Sequence, residues 1–324
     1  MRYLGIASIF AVLLVIGSAC GSASPSRGST GAGSTTSLRV GLLPILDVLP
    51  MYVADAEGFF KEQKVDVEFV LFASALERDS AFQTGQIDAE LNDLVSTALL
   101  NKDAERAKVV RLAFKPTSKL AMLSIFAAPT SSRIGSAIDL KGIQIAVSGN
   151  TVIEYTTDKL LRSAGLAPSD IKTTEVTKIP VRVEMLLKGQ IEAATLPEPF
   201  ASLAAQQGAK LVVDDRKDKV SQSVVTFQQE VISKNPEGVR RFLAAYEKGV
   251  EAIAEKPDAY RALLIEKAKV PEALQATFVR PEYPRAGVSS REDVESVVEW
   301  MVGKGLLSKK LSYEQMVNDQ LLPK

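Results

Sequence analysis

The feature that most constrains the fold of this chain is a phrase that occurs twice, as Gly85-Gln86-Ile87-Asp88-Ala89 and as Gly189-Gln190-Ile191-Glu192-Ala193, 104 residues apart. Each copy closes the same succession of patterns. Ahead of the first, 38–43 is a short apolar run, and Pro50 stands where it opens a helix ending near Gly58. Residues 65–71 alternate, with Val65, Val67, Phe69 and Leu71 on one face and Asp66 and Glu68 on the other, as in a half-buried strand. Ser74 and Glu77 then make a capping box, Gly85 stops the helix, and 87–91 is extended again. Around the second copy, 143–147 reads as a strand, 151–164 as a helix, 171–176 as a strand and 180–188 as a helix. Subtracting the offset of 104 from Ile143 to Val147 lands on Arg39 to Leu43. The repeat predicts two lobes of like build, each beginning β-α-β-α-β.

Strands that alternate with helices predict parallel sheets with right-handed crossovers, and ligands of such sheets sit beyond the carboxyl ends of the strands. In the first lobe this rule selects Pro44, Leu46 and Asp47, then Phe72 and Ser74, then Asn92 and Asp93. In the second it selects Ser148, Asn150 and Thr151, then Lys178 and Arg182, then 195–199 with Glu198 held between two prolines. Hydroxyls, an amide and free backbone N–H groups at the helix start 148–151 suit a polar or anionic ligand. The same residues, like Asn92 and Asp93, also read as ordinary helix caps, and 196–200 reads equally as a structural turn. The apolar stretch 120–127 must carry the chain into the second lobe and 221–227 can carry it back, which makes a two-stranded hinge. Beyond Phe227 the pattern is helical. Asn235 and Pro236 open a helix with the stripe Val239, Phe242, Leu243, Tyr246, Val250 and Ile253. Ser289 with Glu292 caps another, with Val294, Val297, Val298 and Met301 inward, and Ser312 with Gln315 caps the last. These helices are expected to pack on the first lobe.

Composition excludes several chemistries. Lys+Arg and Asp+Glu both number 39, with no basic stripe, so nucleic acid is not an expected partner. There is no histidine, which rules out Ser-His-Asp and Cys-His catalysis. Cys20 is the only cysteine, so no internal disulfide or multi-cysteine metal site can form, and neither metal nor cofactor is expected. The amino terminus reads as an address: Arg2, then the apolar stretch 3–15, then Gly17-Ser18-Ala19-Cys20. The small residues before Cys20 look like a bacterial lipoprotein signal that would leave a lipidated cysteine, although ordinary cleavage with a free thiol remains open. Residues 21–37 are mostly Gly, Ser and Thr, a flexible leash. The expected organisation is a signal peptide over 1–19, the lipidated cysteine and linker over 20–37, lobe one over 38–127, lobe two over 128–220, and a return to lobe one over 221–324.

The lipoprotein-like start, the paired lobes, the two Gly-Gln-Ile phrases, Asp139-Leu140-Lys141-Gly142 before a strand and Glu198-Pro199 after another resemble the nitrate, taurine and sulfonate group of ABC-importer binding proteins, with their NMT1/THI5-like relatives. The resemblance covers roughly 38–300. It implies an α/β, two-lobe, type II periplasmic-binding-protein fold, each lobe a mostly parallel sheet flanked by helices, with the C-terminal helices on lobe one. It also implies capture of a small polar or anionic organic molecule and delivery, as a membrane-tethered monomer outside the cytoplasm, to an ABC permease with a cytoplasmic ATPase. The enzymatic branch of that group uses a histidine and a cysteine-rich motif that this chain lacks. Lys115, Lys178 and Arg182 are the cations near the expected cleft. A lipoprotein sensor that presents its loaded form to a receptor, and a secreted enzyme on the same fold, are the alternatives.

Overall fold

The computed structural model describes residues 35–323. The signal segment, Cys20 and most of the leash lie outside them. The first sheet starts with β1 (Thr36–Leu42), followed by α1 (Leu49–Ala56), α2 (Phe59–Glu62), β2 (Val65–Leu71), α3 (Ala75–Gln83), β3 (Ala89–Asn92), α4 (Leu94–Leu100) and β4 (Ala107–Phe114). Residues 115–122 cross to a second sheet, which holds β5 (Leu123–Ala127), β6 (Gln144–Val147), α5 (Val152–Ser163), β7 (Lys172–Glu175), α6 (Ile179–Leu187), β8 (Ala193–Pro197), α7 (Phe200–Gln206) and β9 (Lys210–Asp214). Residues 215–222 return to β10 (Ser223–Gln228) in the first sheet, and α8 (Gln229–Lys234), α9 (Pro236–Glu255), α10 (Arg261–Lys267), α11 (Arg291–Gly303) and α12 (Tyr313–Met316) follow. Among the described residues no helix is long and apolar enough to cross a membrane.

The strand orders are β2-β1-β3-β10-β4 and β7-β6-β8-β5-β9. In each sheet one strand runs against its neighbours, β10 in the first and β5 in the second. Both are the strands by which the chain enters a sheet from the crossing side, so they start where the parallel strands end. Because β5 belongs to the second sheet, the expected lobe boundary at 127/128 moves back to the crossing at 115–122.

The twice-used phrase has a local cause. Gly85 and Gly189 end their helices in the left-handed conformation, at φ 71° and 68°. Around the first, Gly85 N–H donates to the Phe82 carbonyl at 3.1 Å and Gln86 N–H to the Ala81 carbonyl at 2.9 Å. The second repeats this, Gly189 to Leu186 at 3.0 Å and Gln190 to Met185 at 2.9 Å, which is the Schellman pairing that glycine permits without a Cβ penalty. The constant offset fails at one place. Phe69 matches Thr173 and Ala89 matches Ala193 at 104, but the strand partners they share are Val40 and Ile145, which are 105 apart. The first strands therefore align as Leu38, Val40 and Leu42 with Ile143, Ile145 and Val147, all buried. A slip of one residue would turn each of them to the opposite face of its sheet.

Three finer expectations change. Leu71 is half exposed, so β2 buries only the start of its apolar face. The cap of α11 is Ser290, accepting from Asp293 N–H at 3.1 Å, while Ser289 is buried and donates to Gln222. The stripe of α9 is buried against α1, α2 and the first sheet as expected, but α11, which packs on α4, also reaches the second lobe. Tyr155 of α5 meets Trp300 edge-on, with centroids 5.4 Å apart, and its hydroxyl lies 2.9 Å from Ser296 Oγ. Lys304 pairs with Glu154 at 2.9 Å beside them.

Candidate functional site

Between the sheets lies a cavity of about 60 Å³ lined from both lobes. Its walls are the carboxyl ends of the parallel strands: Leu43, Ile45 and Asp47 beyond β1, Asn92 and Asp93 beyond β3, Ser148 and Thr151 beyond β6, Thr177 beyond β7 and Pro197 at the end of β8. Met122, Leu123 and Ser223, where the crossings meet the antiparallel strands, form its hinge side. Strand ends with no further ladder partner leave their loops free to face a ligand, which is why this end of each sheet forms the site.

Asp47 sits in a one-turn helix over Leu46–Val48 and is buried. Among the described residues its Oδ2 has no hydrogen-bond partner within bonding geometry, and neither has the buried Ser223 Oγ. Burial pushes the Asp47 carboxyl up to about 6, the neighbouring Ser223 hydroxyl partly opposing the shift. Arg78 of α3 reaches the cavity from beneath, but its charge is answered by Asp79 at 2.7 Å and Glu90 at 3.2 Å, and its Nη1 donates to the Leu91 carbonyl at 2.8 Å. Burial drives the Glu90 carboxyl upward against the pull of that guanidinium. Asn92 is locked by its neighbours: Nδ2 donates to Glu90 Oε1 at 2.7 Å and Oδ1 accepts from Thr226 at 2.6 Å. Asp93 caps α4 by accepting from Ser96 N–H at 2.9 Å. Its carboxyl is raised by burial and drawn back by Ser96, by Arg78 and, from across the cleft, by the N–H of Val152 at the start of α5.

On the other wall, Thr151 caps α5, accepting from Ile153 N–H at 3.1 Å and donating to the Ser148 carbonyl at 2.8 Å. Ser148 Oγ donates to the Thr177 carbonyl at 3.2 Å and accepts from Arg182 Nη2. Arg182 itself is fully buried and spends its other donors on the carbonyls of Val176 and Thr195. Burial draws its pKa down to about 10, so it stays charged at neutral pH. It props the ends of β7 and β8 and does not line the cavity.

Of the residues selected from sequence, Asp47, Asn92, Asp93, Ser148 and Thr151 come together here. The others do not reach the cavity. Leu46 packs with Leu49 and Val53, Phe72 lies against the Phe82 and Ile87 cluster, and Pro44 stands beside the wall without lining it. Ser74 accepts from Glu77 N–H at 3.3 Å as the cap of α3. Asn150, at φ 58°, is exposed in an outer groove, Lys178 is exposed at the start of α6, and Lys115 pairs with Asp293 at 3.0 Å. Glu198 accepts from Ser202 N–H at 3.3 Å, its carboxyl raised by burial. Sequence reasoning missed Arg78, Ser223 and the hinge carboxylate Asp215. Asp215 accepts from Met122 N–H at 2.9 Å, Leu123 N–H at 3.3 Å and the Ser221 hydroxyl, so one side chain ties both crossings together, and burial pushes its carboxyl up to about 6. Among the described residues no three carboxylate, histidine or cysteine side chains gather as metal ligands would.

The sequence profile of the family described as NMT1/THI5 like matches residues 46–260. No curated protein matches the chain significantly by sequence. Among solved structures, the alkanesulfonate-binding protein SsuA from Xanthomonas axonopodis pv. citri, bound to MOPS, is similar with a TM-score of 0.73 at 15% identity, over 90% of this chain and 99% of that one. The periplasmic aliphatic sulphonate binding protein SsuA from Escherichia coli gives 0.73 at 20% identity, over 88% and 92%. The periplasmic nitrate-binding protein NrtA from Synechocystis PCC 6803 gives 0.70 at 13% identity, over 89% and 87%. At these identities the likeness is one of fold, the periplasmic-binding-protein fold of two mixed sheets with flanking helices.

Proposed function

The chain belongs to the NMT1/THI5-like family, and from that membership we propose that it is a solute-binding protein working outside the cytoplasm, which captures a small molecule between its lobes and hands it to an ABC permease with a cytoplasmic ATPase. One observation carries the reading: a cavity walled by strand ends from two sheets, beside the two crossings that the described residues make between those sheets. A ligand that touches both walls favours their approach by its differential affinity, so binding and closure are one equilibrium. In this reading lobe two spans about 123–214, and Asp47, Asn92, Asp93, Ser148, Thr151, Arg78 and Ser223 face the ligand. The protein acts as a monomer tethered through a lipid on Cys20. A receptor in place of a permease would use the same cleft.

The test is a thermal melt of protein stripped of ligand by unfolding and refolding. A true ligand at about 100 times its Kd adds about 2.7 kcal/mol, a rise of roughly 5–10 °C for a chain of this size. Absence of any such rise across sulfonates, oxyanions, nitrogen bases, amino acids and flavins defeats the reading. Cys20→Ser should move the protein from the detergent phase to the aqueous phase, and a wild type that is already aqueous and carries no acyl mass removes the tether.

A further inference from the structure

We infer that the ligand of this cleft is a compact, mostly apolar molecule that presents a protonated or N–H-donating nitrogen to Asp47, and not an oxyanion. The inference rests on the solute-binding reading and adds the chemical class of the solute.

It follows from which polar atoms of the lining are already satisfied. A buried oxyanion needs fixed donors or cations, and the walls have spent theirs. Arg78 is bound to Asp79 and Glu90, Lys115 to Asp293, and Arg182 to two carbonyls and Ser148 behind the wall. The start of α5, where an anion would find free N–H groups, is already engaged: Ile153 N–H donates to Thr151, and Val152 N–H faces the Asp93 carboxylate of the opposite lobe. The hydroxyl protons of Thr151 and Ser148 both point at backbone carbonyls, so these side chains turn lone pairs toward the ligand. Ser223 and Thr177 keep a rotatable hydroxyl each, and neither carries charge.

What remains unsatisfied is an acceptor. Asp47 is 4% exposed, lines the cavity, and its Oδ2 has no hydrogen-bond partner among the described residues. An unpaired carboxylate oxygen in such a place is costly unless something donates to it. A nitrogen base does so more strongly than the rotatable Ser223 hydroxyl, the neutral neighbour that draws the carboxyl partly back down. Between the polar groups the wall carries the apolar side chains of Leu43, Ile45, Met122, Ile153, Ile179 and Pro197, which fit a hydrocarbon or aromatic body.

The probes are benzylammonium, benzamidinium and imidazolium chlorides against sodium benzenesulfonate, methanesulfonate and nitrate, added to full-length refolded protein in thermal melts. At about 10 mM, tenfold above a millimolar affinity, a bound probe raises the melting temperature by roughly 3–5 °C. The expected result is a rise with at least one nitrogen base, lost in Asp47→Asn and reduced in Ser223→Ala, with no rise from the anions. Stabilisation by an anion, or by a base equally well in wild type and Asp47→Asn, overturns the inference while leaving a solute-binding protein. No rise with any of the six overturns it too, and the broader ligand survey then decides whether the solute-binding reading falls with it.

Discussion

Asp47→Asn should make the unliganded protein more stable at neutral pH, even though it removes a group from the centre of the site. The unfolded chain ionises this carboxyl near 3.8 and the folded one near 6. Within that window the folded protein holds a proton that the unfolded chain releases, so stability falls as the pH rises through it and is lowest above pH 6. The difference between those two values corresponds to about 3 kcal/mol at pH 7. The amide leaves a neutral polar group buried in the same place, which takes back about 1 kcal/mol. A net gain of about 2 kcal/mol raises the melting temperature by roughly 4–8 °C. Paired melts of ligand-free wild type and variant at about pH 7.5 and about pH 5 isolate the residue, because every other group titrates alike in both proteins. The gap between them should narrow on acidification. A variant that is less stable than wild type at the higher pH, or a gap that stays constant, refutes the claim that Asp47 is a buried charge with no cation beside it.

Asp215→Ala should cost about 2–4 kcal/mol in denaturant unfolding, because Met122 N–H, Leu123 N–H and the Ser221 hydroxyl all lose their acceptor. A loss under about 1 kcal/mol shows that water replaces it and that it does not pin the hinge. Tyr155→Ala removes the edge-on contact with Trp300 and the bond to Ser296, so the radius of gyration of ligand-free protein in X-ray scattering should grow; an unchanged radius means α11 does not hold the lobes together. Gly85→Ala should cost about 1–2 kcal/mol for its positive φ alone. Gly189→Ala should cost more, since its Cβ would stand 2.6 Å from Thr130 Oγ1, and equal losses by urea unfolding contradict that reading.

The fold was legible because its signals are local and repeated. A glycine that must adopt positive φ, an apolar C-terminal contact and a strand starting in buried Ala89 or Ala193 recur in both lobes, and the phrase writes all three. What the phrase could not carry was register in β1 and β6, because the lobes differ by one residue in the stretch between first and second strand. The buried triplets Leu38, Val40, Leu42 and Ile143, Ile145, Val147 did hold that answer, as alternation with period two. The assignment of 123–127 to lobe one failed for another reason. An apolar strand carries no mark of which sheet it joins, and only its pairing with β8 and β9 decides it.

The site was legible to the level of strand ends and no further. The rule that ligands sit at those ends found Asp47, Asn92, Asp93, Ser148 and Thr151, but it selects a loop and not the direction of a side chain. Leu46 and Asp47 are adjacent, yet one turns into the core and the other into the cleft. Arg182 shows the same limit with opposite consequence for function. From sequence it is a cation beside a cleft, more often a solvated surface charge than a ligand contact, while in the fold its fork closes on Val176, Thr195 and Ser148 and leaves the cavity nothing to donate. Arg78, four residues along α3 from its cap, carries no motif at all, and its meaning comes from Asp79 and Glu90, which cancel it. Charge in a binding cleft is therefore a property of pairs, and whether Asp79 and Glu90 turn toward Arg78 is decided by the fold. Counting cations near a predicted site leaves the charge of the solute open here, and counting unpaired atoms favours a donor.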